Sequence, residues 1–358
     1  MPKTAATPRR KPAVRQPAVV PSGADRQAHD HAVAAPHAHD HAHDHDHAHD
    51  HGAATRGNAL RRKPGIYLMS PAGVVPDPES LERAQAHLQA LGYTTRLDRT
   101  ALAREQRFAG TDEQRLAAFT RAIKQSHDIV MATRGGYGMS RLLHRIDWEA
   151  MADSGKRFVG HSDFTAFQLG LLAKTGAVSY AGPMARADFG VKKVDLLTAE
   201  VFGEVMRDEL EILSFESVDA DPVDTRGVLW GGNLAIVASL VGTPYLPRIR
   251  GGILFLEDVA ETPYRVERML LQLLHAGVLA RQKAIVLGRF TEYRTTPLDD
   301  GYDLPDVIAW IRRETGVPVV TGLPFGHVQG KVTLPIGAKA GLATEDGMAY
   351  LVLQEHEH

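Results

Sequence analysis

The sequence predicts an α/β protein organised around parallel sheets. Short apolar runs alternate with amphipathic stretches of helical period, the pattern that strand–helix–strand crossovers leave in a chain. Several of those runs end in a glycine-containing corner, where a parallel strand passes into the next helix. The chain has 358 residues and is 44% apolar, enough for two domains with packed cores.

The first 63 residues are expected to stand apart from any core. They hold almost no large apolar side chain, and ten histidines fall between His29 and His51. The run from Ala38 to His51 reads AHDHAHDHDHAHDH. Such a segment buries too little apolar surface to offset its ordering entropy, so residues 1–63 are predicted to be disordered. His37, His39, His41, His43, His45, His47, His49 and His51 are candidate ligands for transition-metal ions, because neutral imidazole binds zinc, nickel and copper. The plain alternative is a solvated low-complexity tail.

Residues 64–189 are expected to form the first α/β domain. Gly65–Met69 reads as a buried strand ending at Ser70-Pro71-Ala72-Gly73. Pro78 opens an amphipathic helix that runs to Leu91 and stops at Gly92. Tyr93–Leu97 is a second strand. Thr111-Asp112-Glu113 starts another helix, with Leu116, Ala117, Phe119 and Ile123 at helical spacing. Asp128–Ala132 is a third strand and Phe158-Val159 a fourth. A helical stretch to Leu172 and a strand at Val178–Gly182 follow. Residues 190–225 combine an amphipathic stretch, Val194–Met206, with an acidic segment, and read as a connection to the second domain, 226–358. There Val228-Leu229 runs into Gly231-Gly232-Asn233-Leu234. Strands are expected at Ile253–Leu256, Ala284–Leu287 and Tyr350–Leu353, and helices at Tyr264–Leu274 and Leu304–Glu314.

Composition removes several classes of function. The formal net charge is −2, from 41 basic and 43 acidic residues, so nothing draws the chain to nucleic acid or an anionic membrane. The tail is net positive and the body correspondingly negative. The absence of cysteine excludes disulfides, thiolate metal sites, iron–sulfur clusters and a cysteine nucleophile. No apolar stretch approaches the roughly 18 residues of a spanning helix. Arg9, Arg10 and Lys11 are followed by Pro12, Arg15 and Pro17, so no signal-peptide apolar region forms and the expected address is the cytoplasm.

Four corners concentrate residues with chemistry. Gly160-His161-Ser162-Asp163 follows a strand and precedes a helix, a placement that presents a serine hydroxyl at a sheet's carboxyl edge beside free helix N–H groups. Read alone, Ser162 is more simply a helix cap. Thr133-Arg134-Gly135-Gly136-Tyr137-Gly138 is a glycine-rich loop after a strand. It lacks the spacing of a dinucleotide or triphosphate site and could offer an N–H donor to Ser162. Ile253–Leu256 ends in Glu257-Asp258, and a carboxylate at the end of a buried strand needs a partner. Gly326-His327 supplies a loop histidine. Ser162, Glu257 and His327 stand in an order compatible with a catalytic triad, with acyl transfer from Ser162, proton transfer by His327 and orientation by Glu257. His161 is the competing base.

At these corners the sequence resembles the LD-carboxypeptidases, or muramoyltetrapeptide carboxypeptidases, and their relatives the microcin C immunity proteins. The resemblance spans about residues 64–353. Its motifs are Ser70-Pro71-Ala72-Gly73, Phe108-Ala109-Gly110-Thr111-Asp112, Arg134-Gly135-Gly136-Tyr137-Gly138, Gly160-His161-Ser162-Asp163, Gly231-Gly232-Asn233-Leu234, Leu256-Glu257-Asp258 and Gly326-His327. It implies a flavodoxin- or Rossmann-like parallel-sheet domain, a C-terminal β/α domain and a site at their junction. It also implies a cytoplasmic homodimer of a serine peptidase that uses no cofactor and no catalytic metal. The reaction would release terminal D-alanine from murein tetrapeptides in peptidoglycan recycling. Ser162, Glu257 and His327 would be the catalytic residues, and the backbone N–H groups of Gly136 and Asp163 the oxyanion hole. Arg134, Tyr137, Trp230 and Asn233 are candidate substrate contacts. His161 departs from the family's usual tyrosine, and the His/Asp tail is no part of its pattern. The alternatives are an immunity-type peptidase acting on a peptide–nucleotide antibiotic, for which Trp230 is the candidate aromatic platform, and a protein that binds metal through its tail.

Overall fold

The computed structural model describes residues 63–353. The histidines of the tail lie outside them. Five parallel strands form the first lobe: β1 (Gly65–Met69), β2 (Thr94–Leu97), β3 (Ile129–Ala132), β4 (Arg157–Gly160) and β5 (Ser179–Ala181). Their crossovers carry α1 (Pro78–Ala90), α2 (Asp112–Ile123), α3 (Trp148–Asp153) and α4 (Thr165–Thr175). β1 and β3 are buried along their whole length, as strands of a parallel sheet covered on both faces must be. α1 opens on proline, α2 on a reciprocal Thr111/Gln114 capping box, and α4 closes at left-handed Gly176.

The parallel strands run in the order β2-β1-β3-β4-β5. Connections diverge between β1 and β3, and an α/β sheet opens a crevice at the carboxyl ends of its strands at such a switch point. The loops after β1 and β3 meet there, with Gly73 N–H donating to Gly135 O at 3.0 Å. The Ser70 and Thr133 hydroxyls share a hydrogen bond of 2.6 Å beneath them.

The remaining elements are α5 (Leu196–Met206), β6 (Ile212–Glu216), β7 (Asp224–Asn233), α6 (Leu234–Ser239), β8 (Ile253–Val259), α7 (Pro263–His275), β9 (Ala284–Thr291), α8 (Leu304–Thr315), β10 (Val319–Val320), β11 (Leu334–Ile336), β12 (Lys339–Glu345) and β13 (Met348–Val352). The second sheet runs β10-β9-β8-β7-β12-β13-β6, parallel from β7 to β10 and antiparallel through β12, β13 and β6. The expected parallel-sheet lobe and second sheet lobe are both present.

Three features differ from the sequence expectation. Residues 190–225 hold structured parts of both lobes. α5 packs Phe202 on Tyr93 and Phe189, with ring centroids 5.7 and 5.6 Å apart. β6 is an edge strand with Leu213 and Phe215 inward, an alternation obscured by the acidic residues around it. β11 leaves the second lobe and pairs antiparallel with β5, Pro335 opposite Tyr180. An edge position tolerates a residue without an N–H. Finally, Gly231 and Gly232 lie inside β7, at φ +139° and +132°. A Cβ on Gly232 would stand 2.7 Å from Thr165 Cγ2, so the glycine lets β7 approach the start of α4 across the lobes.

Candidate active site

Ser162 follows β4 and begins a short 3₁₀ turn that passes into α4. Its φ is +62°, an unusual value for a residue with a side chain and the mark of a strained strand-to-helix elbow. Neighbouring glycines make the room. A Cβ on Gly160 would lie 2.7 Å from the Phe164 ring, and one on Gly135 would lie 2.8 Å from Ser162 Oγ and 3.3 Å from Asp163 N. The glycine-rich loop therefore runs directly against the serine. Gly136 itself is left-handed, at φ +96°.

His327 lies on the segment that leaves β10 for β11. Its Nδ1–H donates to Glu257 Oε2 at 2.8 Å, and its Nε2 accepts from Ser162 Oγ at 3.1 Å. The carboxylate can only accept when ionised, which assigns the proton to Nδ1 and the lone pair to Nε2. Glu257 is fully buried on β8. A register shift against β9 between Leu256 and Asp258 marks a bulge, a device that re-aims side chains. Both Glu257 and Asp258 consequently point into protein.

Asn233 ties these carboxylates together. Its Nδ2 donates to Glu257 Oε1 at 3.1 Å and Asp258 Oδ1 at 3.0 Å, while its Oδ1 caps α6 through Ile236 N–H. Its own N–H donates to Thr165 Oγ1 at 3.2 Å, across the lobes. Burial, with the charge of Glu257 adding, pushes the Asp258 carboxyl up to about 6. Asp163 is likewise pushed up to about 6 by burial, against the N–H groups of Met139 and Gly138 and the charge of Arg115, which hold it down.

The other sequence candidates separate. Arg134 is half-buried, its Nη1 donating to Val74 O at 2.7 Å, and it makes no ion pair among the described residues. A Cβ on Gly136 would lie 3.6 Å from its guanidinium carbon, so the cation sits beside the glycine loop. Tyr137 is 44% exposed, with its ring 5.9 Å from Phe108 and the Arg107 guanidinium 5.5 Å from its centroid. Trp230 is corrected: it is fully buried in the core, with its indole N–H donating to Gln282 Oε1 at 2.9 Å, and offers no face to a ligand. His161 makes no bond to the serine; its Nδ1–H donates to Gly182 O at 2.9 Å. The sequence reading missed Asp188 and Lys331, which lie behind His161; an isolated lysine in a loop carries no local signal of burial. Among the described residues no group of three or more His, Asp or Glu side chains could hold a metal ion, and no helix is long and apolar enough to cross a membrane.

A serine, a histidine and a buried glutamate hydrogen-bonded in series at the carboxyl edge of parallel strands are the equipment of a serine-dependent hydrolase. The sequence matches the LD-carboxypeptidase N-terminal domain over residues 66–182 and the LD-carboxypeptidase C-terminal domain over residues 226–342. The chain belongs to this family of serine carboxypeptidases. The crystal structure of muramoyltetrapeptide carboxypeptidase from Oxalobacter formigenes is 45% identical, with a TM-score of 0.77, over 82% of this chain and 100% of that one. Murein tetrapeptide carboxypeptidase from Pseudomonas aeruginosa is 30% identical over 289 residues, 77% of this chain and 92% of that protein. MccF in complex with glutamyl sulfamoyl guanosine shares the fold, at 23% identity and a TM-score of 0.74 over 82% of this chain and 96% of that one.

Proposed function

We propose that this carboxypeptidase releases the terminal D-alanine of murein tetrapeptides, cutting after the L-centre of the third residue, and acts in peptidoglycan recycling as a cytoplasmic homodimer. The observation that carries the reading is the unbroken series Ser162–His327–Glu257, at 3.1 and 2.8 Å. Ser162 Oγ attacks the scissile carbonyl while His327 Nε2 takes its proton. Glu257 holds the ring and stabilises its charged form. The carbonyl oxygen, now negative, is received by the N–H groups of Gly136 and Asp163; the close approach of Gly135 to Ser162 supports this reading. Collapse expels D-alanine, protonated by His327, and leaves an acyl-enzyme. Water, deprotonated by the same histidine, hydrolyses it. The chemistry uses no metal.

The terminal carboxylate of the peptide needs a cation near the serine, and Arg134, without an acidic partner among the described residues, is the group we assign to it. The peptide–nucleotide alternative loses its aromatic candidate with the burial of Trp230. The decisive experiment measures free D-alanine from a muramoyl tetrapeptide. Wild type is expected to release it, and Ser162→Ala to release it roughly 10⁴-fold or more slowly. Equal release by both would end the serine mechanism, and none by the wild type would end the substrate assignment.

A further inference from the structure

Beside this series lies a second set of ionisable side chains that acyl transfer does not use. His161, Asp188 and Lys331 are 2%, 4% and 2% exposed. Lys331 Nζ donates to Asp188 Oδ1 at 2.7 Å, and Asp188 Oδ2 accepts from Met184 N–H at 2.7 Å. Lys331 N–H also donates to Thr198 Oγ1 at 2.9 Å. Asp188, Met184 and Thr198 lie on the segment from β5 into α5, whereas Lys331 is on the stretch that carries His327.

His161 fills the space between the ammonium and the base. With its Nδ1–H committed to Gly182 O, its Nε2 lone pair faces Lys331 Nζ at 3.5 Å. The opposite contact is with His327, edge to face, with ring centroids 5.1 Å apart at 75°. Asp188, Lys331, His161 and His327 thus form one continuous row. A buried ion pair stabilises a fold no better, as a rule, than apolar side chains of equal volume; what it can add is a specified arrangement. The His327 segment needs one, because Gly326 and Gly330, at φ +141° and +73°, leave its backbone little intrinsic rigidity.

We infer that Lys331, anchored by Asp188, is a positioning residue for His327: with His161 as a wedge, it seats the imidazole in line with the Ser162 hydroxyl. This rests on the reading of His327 as the base. Burial, then the Lys331 ammonium and then His327 itself, keep His161 well below the ordinary histidine range. His161 is therefore a neutral packing element and does not compete for the serine proton.

The test compares Lys331→Met, Asp188→Asn and the double variant, by thermal melting, by kcat and KM for D-alanine release, and by the rate at which diisopropyl fluorophosphate labels Ser162. Each single variant leaves a buried charge unpaired and is expected to lower Tm. The double variant leaves none and should recover Tm. Positioning predicts that the double variant still has kcat about tenfold or more below wild type, with KM within about twofold and labelling slowed in parallel. Recovery of kcat and labelling together with Tm would show the pair to be structural only, and so would an unslowed Lys331→Met. The labelling arm needs no peptide, so it decides positioning even if the wild type releases no D-alanine.

Discussion

Gly135 shows how narrowly the residues around Ser162 are constrained. Its backbone does not require glycine, yet a single methyl group there would sit 2.8 Å from Ser162 Oγ. Gly135→Ala is expected to displace the hydroxyl and lower kcat by roughly a hundredfold, with little change in Tm; an unaffected kcat would show that the loop yields. Arg134→Gln should instead raise KM with kcat nearly kept, because it removes attraction for a carboxylate present in substrate and transition state alike. A matching fall in kcat would place the guanidinium at the reacting centre. Ser162, Glu257 and His327 were legible because each stands at a corner where an apolar run meets a polar residue that needs a partner. Lys331 and Asp188 were not, since only the fold reveals that they are buried against each other. Trp230 misled: an aromatic beside two glycines looks poised for a ligand, and only the packing of β7 on β8 shows that it faces inward.

Elements were read best where local chemistry defines them. The proline that opens α1, the capping box of α2 and the wholly apolar run of β3 all speak within a few residues of sequence. β6 and β11 were missed because their partners are distant in sequence and β11 is only three residues long. The junction of β7 with α6 is where element and site coincide. Asn233 caps the helix, bridges two carboxylates and bonds to Thr165 across the lobes. Asn233→Ala should cost about 1–2 kcal/mol from the cap alone, read as a lower denaturation midpoint. It should also depress kcat, because Glu257 loses a partner for Oε1. Stability lost with kcat intact would confine Asn233 to the helix.

At the scale of the molecule, buried ionisable groups set opposing pH dependences. Asp163 and Asp258 bind a proton more tightly folded than unfolded, with values raised to about 6 from 3.8. Their contribution is full below about pH 4 and is lost as pH rises through 6. Burial would also raise Asp98, but hydrogen bonds from Arg121, Thr100 and Tyr67 outweigh it and hold it well below its usual 3.8. Its contribution is present above that value and fades as the solution becomes more acid. His161, held well below the ordinary histidine range, works against Asp163 and Asp258 over the same span, because the unfolded chain gains a proton there that the folded one refuses. The carboxyl contribution is therefore read as a difference: between pH 7 and pH 5 the Tm of wild type should gain on that of Asp258→Asn, and parallel Tm curves for the two proteins would contradict the assignment.

The strand exchange at β11 bears on how the protein comes into being. A ribosome delivers the chain from its amino end, and early domains fold as they emerge. The first five parallel strands and the strained serine can form while everything after residue 182 is still unmade. His327 follows 165 residues later, and the strand just beyond it is the one that completes the first sheet. On the proposed mechanism a half-synthesised copy carries a hydroxyl with nothing to take its proton. Hydrolytic power would then arrive only once the carboxyl-terminal portion has docked, leaving unfinished chains harmless to the peptides around them.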